Sequence, residues 1–552
     1  MTLEAANILV ISDLHLGEDV KPTTKVGYLR HVVMLERELE SFLDHYADPA
    51  NRQGGRPWRL IINGDMVDFL AVWLLPGEAT TRSGRFGDVA KSAMEAGRPR
   101  VEDTLQLAVR KATPAVLQQH SKAGEQLGLA LDLEAMDAAE REEIEDIARF
   151  GVGSDADGAR AKMIAVGKRH TGVFQRLARF LANGNQAVVI MGNHDVEFHW
   201  PEVQESLRDI VAAHGADGAQ RTTIAHNLTF SPWFYYEEDL VWIEHGHQYD
   251  DYCSFDYWLN PVAPPSRPHQ RPGIVMSLGG AGMRYFSNLM PDMNTYNQED
   301  WTAADYLRWG FRKGVRGVLR VIWLYFFLFF QLARGVRYLA KTAIHEARKV
   351  VHLRRLGELA RSAHLSEKTL LALDALRGKP VMTNVLKVMQ TLMIDRVVIG
   401  VVTIVLEIAA FVFLPWPWNG AAAGGLIALA ILLGWLSARG RHIDASERLR
   451  TMSRLIRKHV SARFVVMGHT HEPVVMPLGD GAMYFNTGTW VATERPGVDR
   501  SFTHVLIAHE PSGPRAALCQ WSSQTGESRP FDPKPRVAVR PDIDAREVAQ
   551  LP

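Results

Sequence analysis

The sequence predicts an α/β protein in which a layered sheet domain is interrupted by two helical insertions, one of them membrane-associated. Three observations predict it. Five short apolar runs each close on polar residues, which reads as strands buried on both faces with functional groups at their carboxyl ends. The segments between these runs are of very unequal length and include stretches of helical composition. And from Val397 to Leu436 there are forty residues with a single charge, Glu407.

Composition bounds the answer. The chain has 552 residues, which suggests one large domain with insertions or several units. It has 62 basic and 62 acidic residues, so it carries no nucleic-acid-type basic excess. Hydrophobic residues make up 47% and charged residues 22%, which excludes a mostly disordered chain. Two cysteines exclude a disulfide scaffold and a multi-cysteine zinc module.

The five strands come in chain order. Ile8–Ile11 leads to Ser12-Asp13-Leu14-His15, and Leu60–Ile62 leads to Asn63-Gly64-Asp65-Met66-Val67-Asp68. Ala187–Met191 leads to Gly192-Asn193-His194-Asp195. Leu240–Ile243 leads to Glu244-His245-Gly246-His247, and Phe464–Met467 leads to Gly468-His469-Thr470-His471. Residues 80–165 read as a helical insertion, with helical composition over Val101–Gln119 and Asp137–Phe150 and a loop over Gly151–Gly158. His170–Leu181 reads as a helix feeding the third strand. Residues 256–459 form the second insertion. β-like runs resume at Ala482–Phe485, Phe502–Ala508 and Ala516–Trp521, and 529–552 read as a flexible tail. Gly279-Gly280-Ala281-Gly282 reads as a turn, because no Lys-Ser/Thr follows to complete a phosphate loop.

The second insertion holds the membrane material. Val397–Leu414 and Ala421–Leu436 flank Pro415-Trp416-Pro417-Trp418-Asn419-Gly420 and read as a transmembrane hairpin over about 397–437, a span needing roughly 17–25 apolar residues. Lys379, Lys387 and Arg396 before it and Arg439, Arg441, Arg448 and Arg450 after it put both feet in the cytoplasm by the positive-inside rule. A third run, Val318–Phe330, is 13 residues long, aromatic, and crowded by basic residues; it reads as interfacial rather than spanning. The expected location is therefore the cell (inner) membrane, with the sheet domain cytoplasmic and no secretory signal at the N-terminus.

Asp, Asn and His at strand ends form a hard-to-borderline ligand set that suits Mn, Fe, Zn or Ni. Seven such residues exceed what one tetrahedral ion needs, and two ions sharing a carboxylate would use them. The ordered series Asp13-x-His15, Gly64-Asp65-x-x-Asp68, Gly192-Asn193-His194-Asp195, His245-Gly246-His247 and Gly468-His469-Thr470-His471 resembles the calcineurin-like metallophosphoesterase family across about 1–75, 165–250 and 460–510. The resemblance implies a four-layer α-β-β-α sandwich, with the catalytic domain formed by 1–255 plus 460–528. It implies two divalent metals, with Asp13, His15 and His471 on one, Asn193, His245 and His469 on the other, and Asp65 bridging. It puts His194 near the leaving group and favours His245 over His247 as the ligand, leaving His247 a supporting residue or an alternative ligand. On chemical grounds His194 can donate a proton to the leaving oxygen, Asp195 is expected to orient His194, and Asp68 to orient a metal ligand.

The expected reaction is hydrolysis of a phosphoester or pyrophosphate by metal-activated water, with a lipid-linked substrate among the options and membrane lipids as partners. No specific nucleic acid is expected, and a homo-oligomer is compatible with the sequence. The rivals are a phosphodiesterase or nuclease acting on soluble substrates, and a non-catalytic membrane scaffold with a degenerate module. Members of the family that cleave nucleotide-linked lipid pyrophosphates have Arg where this chain has His194, so it departs from them there.

Overall fold

The computed structural model describes residues 6–20, 26–74, 149–265, 271–290, 303–438, 444–492 and 499–532, together with Asp146. The chain is mixed α/β. Fourteen strands are described: β1 (Asn7–Ile11), β2 (Trp58–Asn63), β3 (Gln186–Ile190), β4 (Leu228–Ser231), β5 (Phe234–Glu237), β6 (Val241–Glu244), β7 (Val262–Ala263), β8 (Gly273–Ile274), β9 (Phe464–Met467), β10 (Val474–Gly479), β11 (Ala482–Asn486), β12 (Thr503–Glu510), β13 (Gly513–Ser522) and β14 (Glu527–Pro530). A seven-stranded sheet runs β14-β13-β12-β1-β2-β3-β4, and a five-stranded sheet runs β10-β11-β9-β6-β5. β1, β2, β3 and β4 pair in parallel, as do β6, β9 and β11.

Strand alternation decides how these sheets pack. Ile8, Val10, Ile61 and Ile190 of the first sheet meet Val241, Ile243, Phe464, Val466 and Phe485 of the second in one buried core. Their neighbours Leu9, Ile11, Leu60, Ile62 and Val189 point the other way, into a core shared with Phe42, Phe174, Leu177 and Phe180 on the helices Val26–Ala47 and Thr171–Ala182. Residues i and i+2 share a face, so a strand buried on both sides must be apolar throughout. Full burial of each such side chain is worth roughly 1.5–3 kcal/mol. On the far side of the second sheet, Val465, Met467 and Tyr484 share a core with Leu449 and Ile456 of the helix Ala445–Ile456.

The sequence expectations meet the structure unevenly. The five motif-bearing strands and the three C-terminal ones form, and the helix before β3 forms as Thr171–Ala182. β4, β5, β7, β8, β10 and β14 were not anticipated. β14 takes residues 529 and 530 out of the expected tail and into the sheet; 533–552 lie outside the described residues. Most of the expected insertion at 80–165 also lies outside them, and its loop ends earlier than expected, where Asp155 caps a helix at Ala156. The expected turn at Gly279–Gly282 is helix Leu278–Tyr285, because the Ser277 hydroxyl accepts from Gly280 N and starts it.

Three helices are long and apolar enough to cross a membrane: Val315–Leu339, Ile394–Phe413 and Trp418–Ala438. The 13-residue run expected at Val318–Phe330 is thus part of a 25-residue helix. Arg320 and Gln331 interrupt its hydropathy without interrupting its hydrogen bonding. The last two helices pack on each other, with Ser437 donating to Asp395 at their feet, and Val401, Ile404, Phe411 and Ile431 exposed.

Candidate metal centre

The residues of interest sit in loops that leave the carboxyl ends of β1, β2, β3, β6 and β9, where open α/β sheets gather their functional groups. Backbone hydrogen bonds stitch these loops together. Leu14 N and His15 N donate to Asp65 O at 2.9 Å, Phe69 N donates to His194 O at 3.1 Å, and Gly468 N donates to His245 O at 3.0 Å. Asp13, His15, Asp65, His469 and His471 all adopt positive φ, between 49° and 70°, a region costly for residues with a Cβ. Gly64 has φ +82°, and a Cβ there would lie 2.4 Å from His245 Cγ. A Cβ on Gly192 would lie 2.1 Å from Asp65 Oδ1. Both glycines are required by close approach.

The side chains converge. Asp13 Oδ1 lies 3.2 Å from His471 Nε2, and His15 Nε2 lies 3.4 Å from His471 Nε2. Asp65 Oδ2 lies 3.2 Å from His245 Nε2 and 3.9 Å from His15 Nε2, between the two halves of the site. Asn193 Oδ1 is 3.3 Å from His245 Nε2, and the His245 and His469 rings are 5.4 Å apart. Asp13, His15 and His471 form one group able to hold an ion, and Asp13, Asp65 and His245 form another.

The tautomers are set by outer contacts. His245 Nδ1 donates to Asn63 O at 2.8 Å, leaving Nε2 as the ligand atom. His469 Nε2 faces Asp250 Oδ2 at 3.1 Å, leaving Nδ1. Asp250 carries no strand-end signature and was not singled out from the sequence. It follows β6 by a single helical turn, His247–Tyr249, and meets His469 from the distant β9 loop. Cys253 joins the same group.

Two assignments change. The carboxylate at His194 is Asp68, whose Oδ1 lies 3.2 Å from His194 Nδ1. Asp195, expected to orient His194, instead accepts from Gly192 N at 2.6 Å and Met66 N at 2.7 Å, tying the β2 and β3 loops together. The residue that follows His194 in sequence points back into the sheet ends, whereas Asp68 reaches it from the neighbouring strand. Asp68 also lies 3.8 Å from His15 Nδ1. His247 is buried against Trp258, with ring centroids 4.1 Å apart, and neither ring nitrogen has a hydrogen-bond partner among the described residues.

The electrostatics follow from this crowding. Burial pushes the Asp13, Asp65 and Asp68 carboxyls up, but the facing histidines outweigh it and hold all three below the ordinary carboxylate range. Burial opposes charge on His194, yet Asp68 and Asp65 raise it to about 9; burial likewise opposes charge on His245, and Asp65 raises it to about 9. Burial, His245 and His469 keep His247 neutral. Three buried carboxylates thus draw positive charge into a pocket of imidazoles. Bound cations would replace those protons, and the groups around Asp13 and Asp65 have donors that could hold a divalent ion. Compared with described protein families, curated proteins and solved structures, the chain matches none.

Proposed function

We propose that the chain is a dinuclear metal-dependent phosphoesterase of the calcineurin-like type, held at a membrane with its site on the cytoplasmic face. The observation that carries this reading is the convergence of seven candidate ligands from five strand ends into one largely buried cluster, with Asp65 between a group around Asp13, His15 and His471 and a group around His245. The facing sheets with helices outside them support the four-layer sandwich, formed from 1–255 and 460–528. In this reading Asp13, His15 and His471 hold one ion, Asn193, His245 and His469 the second, and Asp65 both. When bound, the ions supply a water acidic enough to attack phosphorus near neutral pH and offset charge on the phosphoryl oxygens.

The chain's own residues do the rest. Asn193 ligates without adding negative charge where an anion must bind. Asp68 holds His194 by Nδ1 and keeps it protonated, so Nε2 can donate a proton to the departing oxygen. The exposed hairpin favours a substrate presented by the membrane, such as a lipid-linked phosphoester or pyrophosphate. The test is hydrolysis of bis-p-nitrophenyl phosphate and p-nitrophenyl phosphate by the full chain in detergent with Mn²⁺. Turnover that needs the metal and vanishes in Asp65→Ala is expected. No metal-dependent turnover of either substrate defeats the proposal.

A further inference from the structure

We infer that the helix Val315–Leu339 lies flat on the membrane surface without crossing it, and that its free face docks on anionic lipid of the bilayer entered by the hairpin. The inference rests on reading the hairpin as membrane-spanning and requires nothing of the chemistry at the metal centre. By length and composition this helix could cross, so geometry must decide.

One face is already taken. Val321, Leu324, Leu328, Leu332 and Val336, spaced by three and four residues, are buried in a core with Phe150, Phe286 and Val388. Both ends are also tied to the same body. Arg320 donates to Leu289 O at 2.6 Å, and Tyr338 donates to Pro264 O and Pro265 O at 2.9 Å. These anchors are 18 residues apart, about 27 Å along a helix, close to the roughly 30 Å of bilayer hydrocarbon. Yet the anchoring segments belong to one side: Asn288 donates to Leu70 O, two residues past Asp68, and β7, next to Pro264, pairs with β8, whose Ile274 N bonds Ser154. A crossing helix would carry one anchor to the far side. Midway, the Arg149 guanidinium lies over Trp323 and Phe327 at 4.8 and 4.5 Å, a charge at what would be the bilayer centre. The metal centre gives a parity check. Asp13 and His471 are 3.2 Å apart, so the chain between them crosses an even number of times. The hairpin supplies two crossings, and a lone third is excluded.

The opposite face identifies what covers it. Val315, Leu319, Ile322, Trp323 and Phe330 form a stripe 42–76% exposed. Between Asp305 and Glu346 there are eight Lys and Arg and no carboxylate, with Arg312, Lys313 and Arg316 at one end and Arg334, Arg337 and Lys341 at the other. An apolar stripe bracketed by cations matches an anionic lipid surface, where the rings enter the headgroup boundary and the cations meet phosphate. Val388, packed in the same core, lies just before Ile394, where the hairpin begins, so the stripe sits at the level of membrane entry.

Depth measurement on the full chain tests this. Cys253 and Cys519 are replaced by Ala, and single cysteines at Leu319, Ile322 or Phe330 carry an environment-sensitive fluorophore in nanodiscs of phosphatidylglycerol and phosphatidylcholine. Labels at Val401 and Ile431 mark the bilayer interior, and one at Ser512 marks water. The three stripe labels are expected to be blue-shifted relative to Ser512. Lipids brominated near the headgroup should quench them more than lipids brominated deep in the chain, to a similar degree at all three positions. The shift should fall in pure phosphatidylcholine. Quenching depth that changes steadily from 319 to 330 means the helix crosses, and emission like that of Ser512 means the face does not touch lipid. Energy transfer between labels without lipid quenching assigns the face to a second copy. A shift as large in pure phosphatidylcholine removes the anionic-lipid assignment. Each of these results overturns the inference, and none depends on turnover.

Discussion

Asp13, His15, Asp65, His469 and His471 hold left-handed backbone conformations that cost about 1–3 kcal/mol each and persist only where the surroundings over-determine them. The inter-loop hydrogen bonds, and Asp13 Oδ2 accepting from His469 N at 3.2 Å, supply that constraint. Residues one step further out are then expected to tune ligation. Asp250 is expected to fix His469, so Asp250→Ala should weaken Mn²⁺ affinity about 10–100-fold by calorimetry with the circular dichroism unchanged. Unaltered affinity would show that His469 needs no such partner. A second residue sets a pH response far from the site. His504 is buried among Phe42 and Trp490, and burial lowers it to about 3, below the roughly 6.5 of an unfolded histidine. Its contribution is complete above pH 6.5. As pH falls towards 3, the unfolded chain takes up a proton that the fold refuses, removing about 1.4 kcal/mol per pH unit. His504→Gln should therefore lose less stability than the parent between pH 7 and 5 in urea melts. Equal losses would contradict the assignment.

At the scale of elements, the strand-end loops depend on glycines that no side chain can replace. Gly192→Ala would drive a Cβ to 2.1 Å from Asp65 Oδ1 and 2.5 Å from Asp65 N, and backbone cannot yield as a flexible side chain does. We expect a loss of roughly 1–3 kcal/mol by thermal denaturation, together with weakened Mn²⁺ binding. Gly218→Ala, where nothing lies within 4 Å, should change neither. A Gly192→Ala protein as stable as the parent would mean that the loops are not rigidly coupled. These loops were legible in the sequence because strands buried on both faces are apolar throughout and stop abruptly at their functional ends. β10 was not legible because Val474–Gly479 is half exposed, and β5 because Phe234–Glu237 is short and mostly half buried. The exchange of roles between Asp68 and Asp195 was invisible for a different reason. Adjacency in sequence favours Asp195, but the turn after β3 aims successive side chains apart, and parallel pairing of β2 with β3 brings Asp68 alongside. The helix Leu278–Tyr285 looked like a turn because three glycines dominate it. Gly280 packs where a Cβ would sit 3.2 Å from Leu70, so small size serves the contact rather than a bend.

Across the whole molecule, the two parts of the sheet domain are separated in sequence by the helical insertion, yet they meet at Asp13 and His471. The hairpin leaves and returns to the rest of the chain at neighbouring points, because its feet touch through Ser437 and Asp395. Closing a short linker across those feet costs little chain entropy, since the cost grows only slowly with loop length. Replacing 397–436 with a short Gly-Ser linker should therefore leave the two sheets and the metal centre assembled, with Mn²⁺ affinity within a few-fold of the parent. The same variant separates the two membrane attachments. Alkaline carbonate should release it from membranes while the full chain stays embedded, because nothing spans the bilayer any longer. The Val315–Leu339 stripe should still carry the released protein to phosphatidylglycerol vesicles at low salt and let it go at high salt, since attraction between exposed charges is screened over about 10 Å at 0.1 M. Retention through carbonate would place a further crossing elsewhere in the chain. Loss of Mn²⁺ binding with the linker in place would mean that the hairpin, rather than the sheet domain, holds the two halves of the centre together.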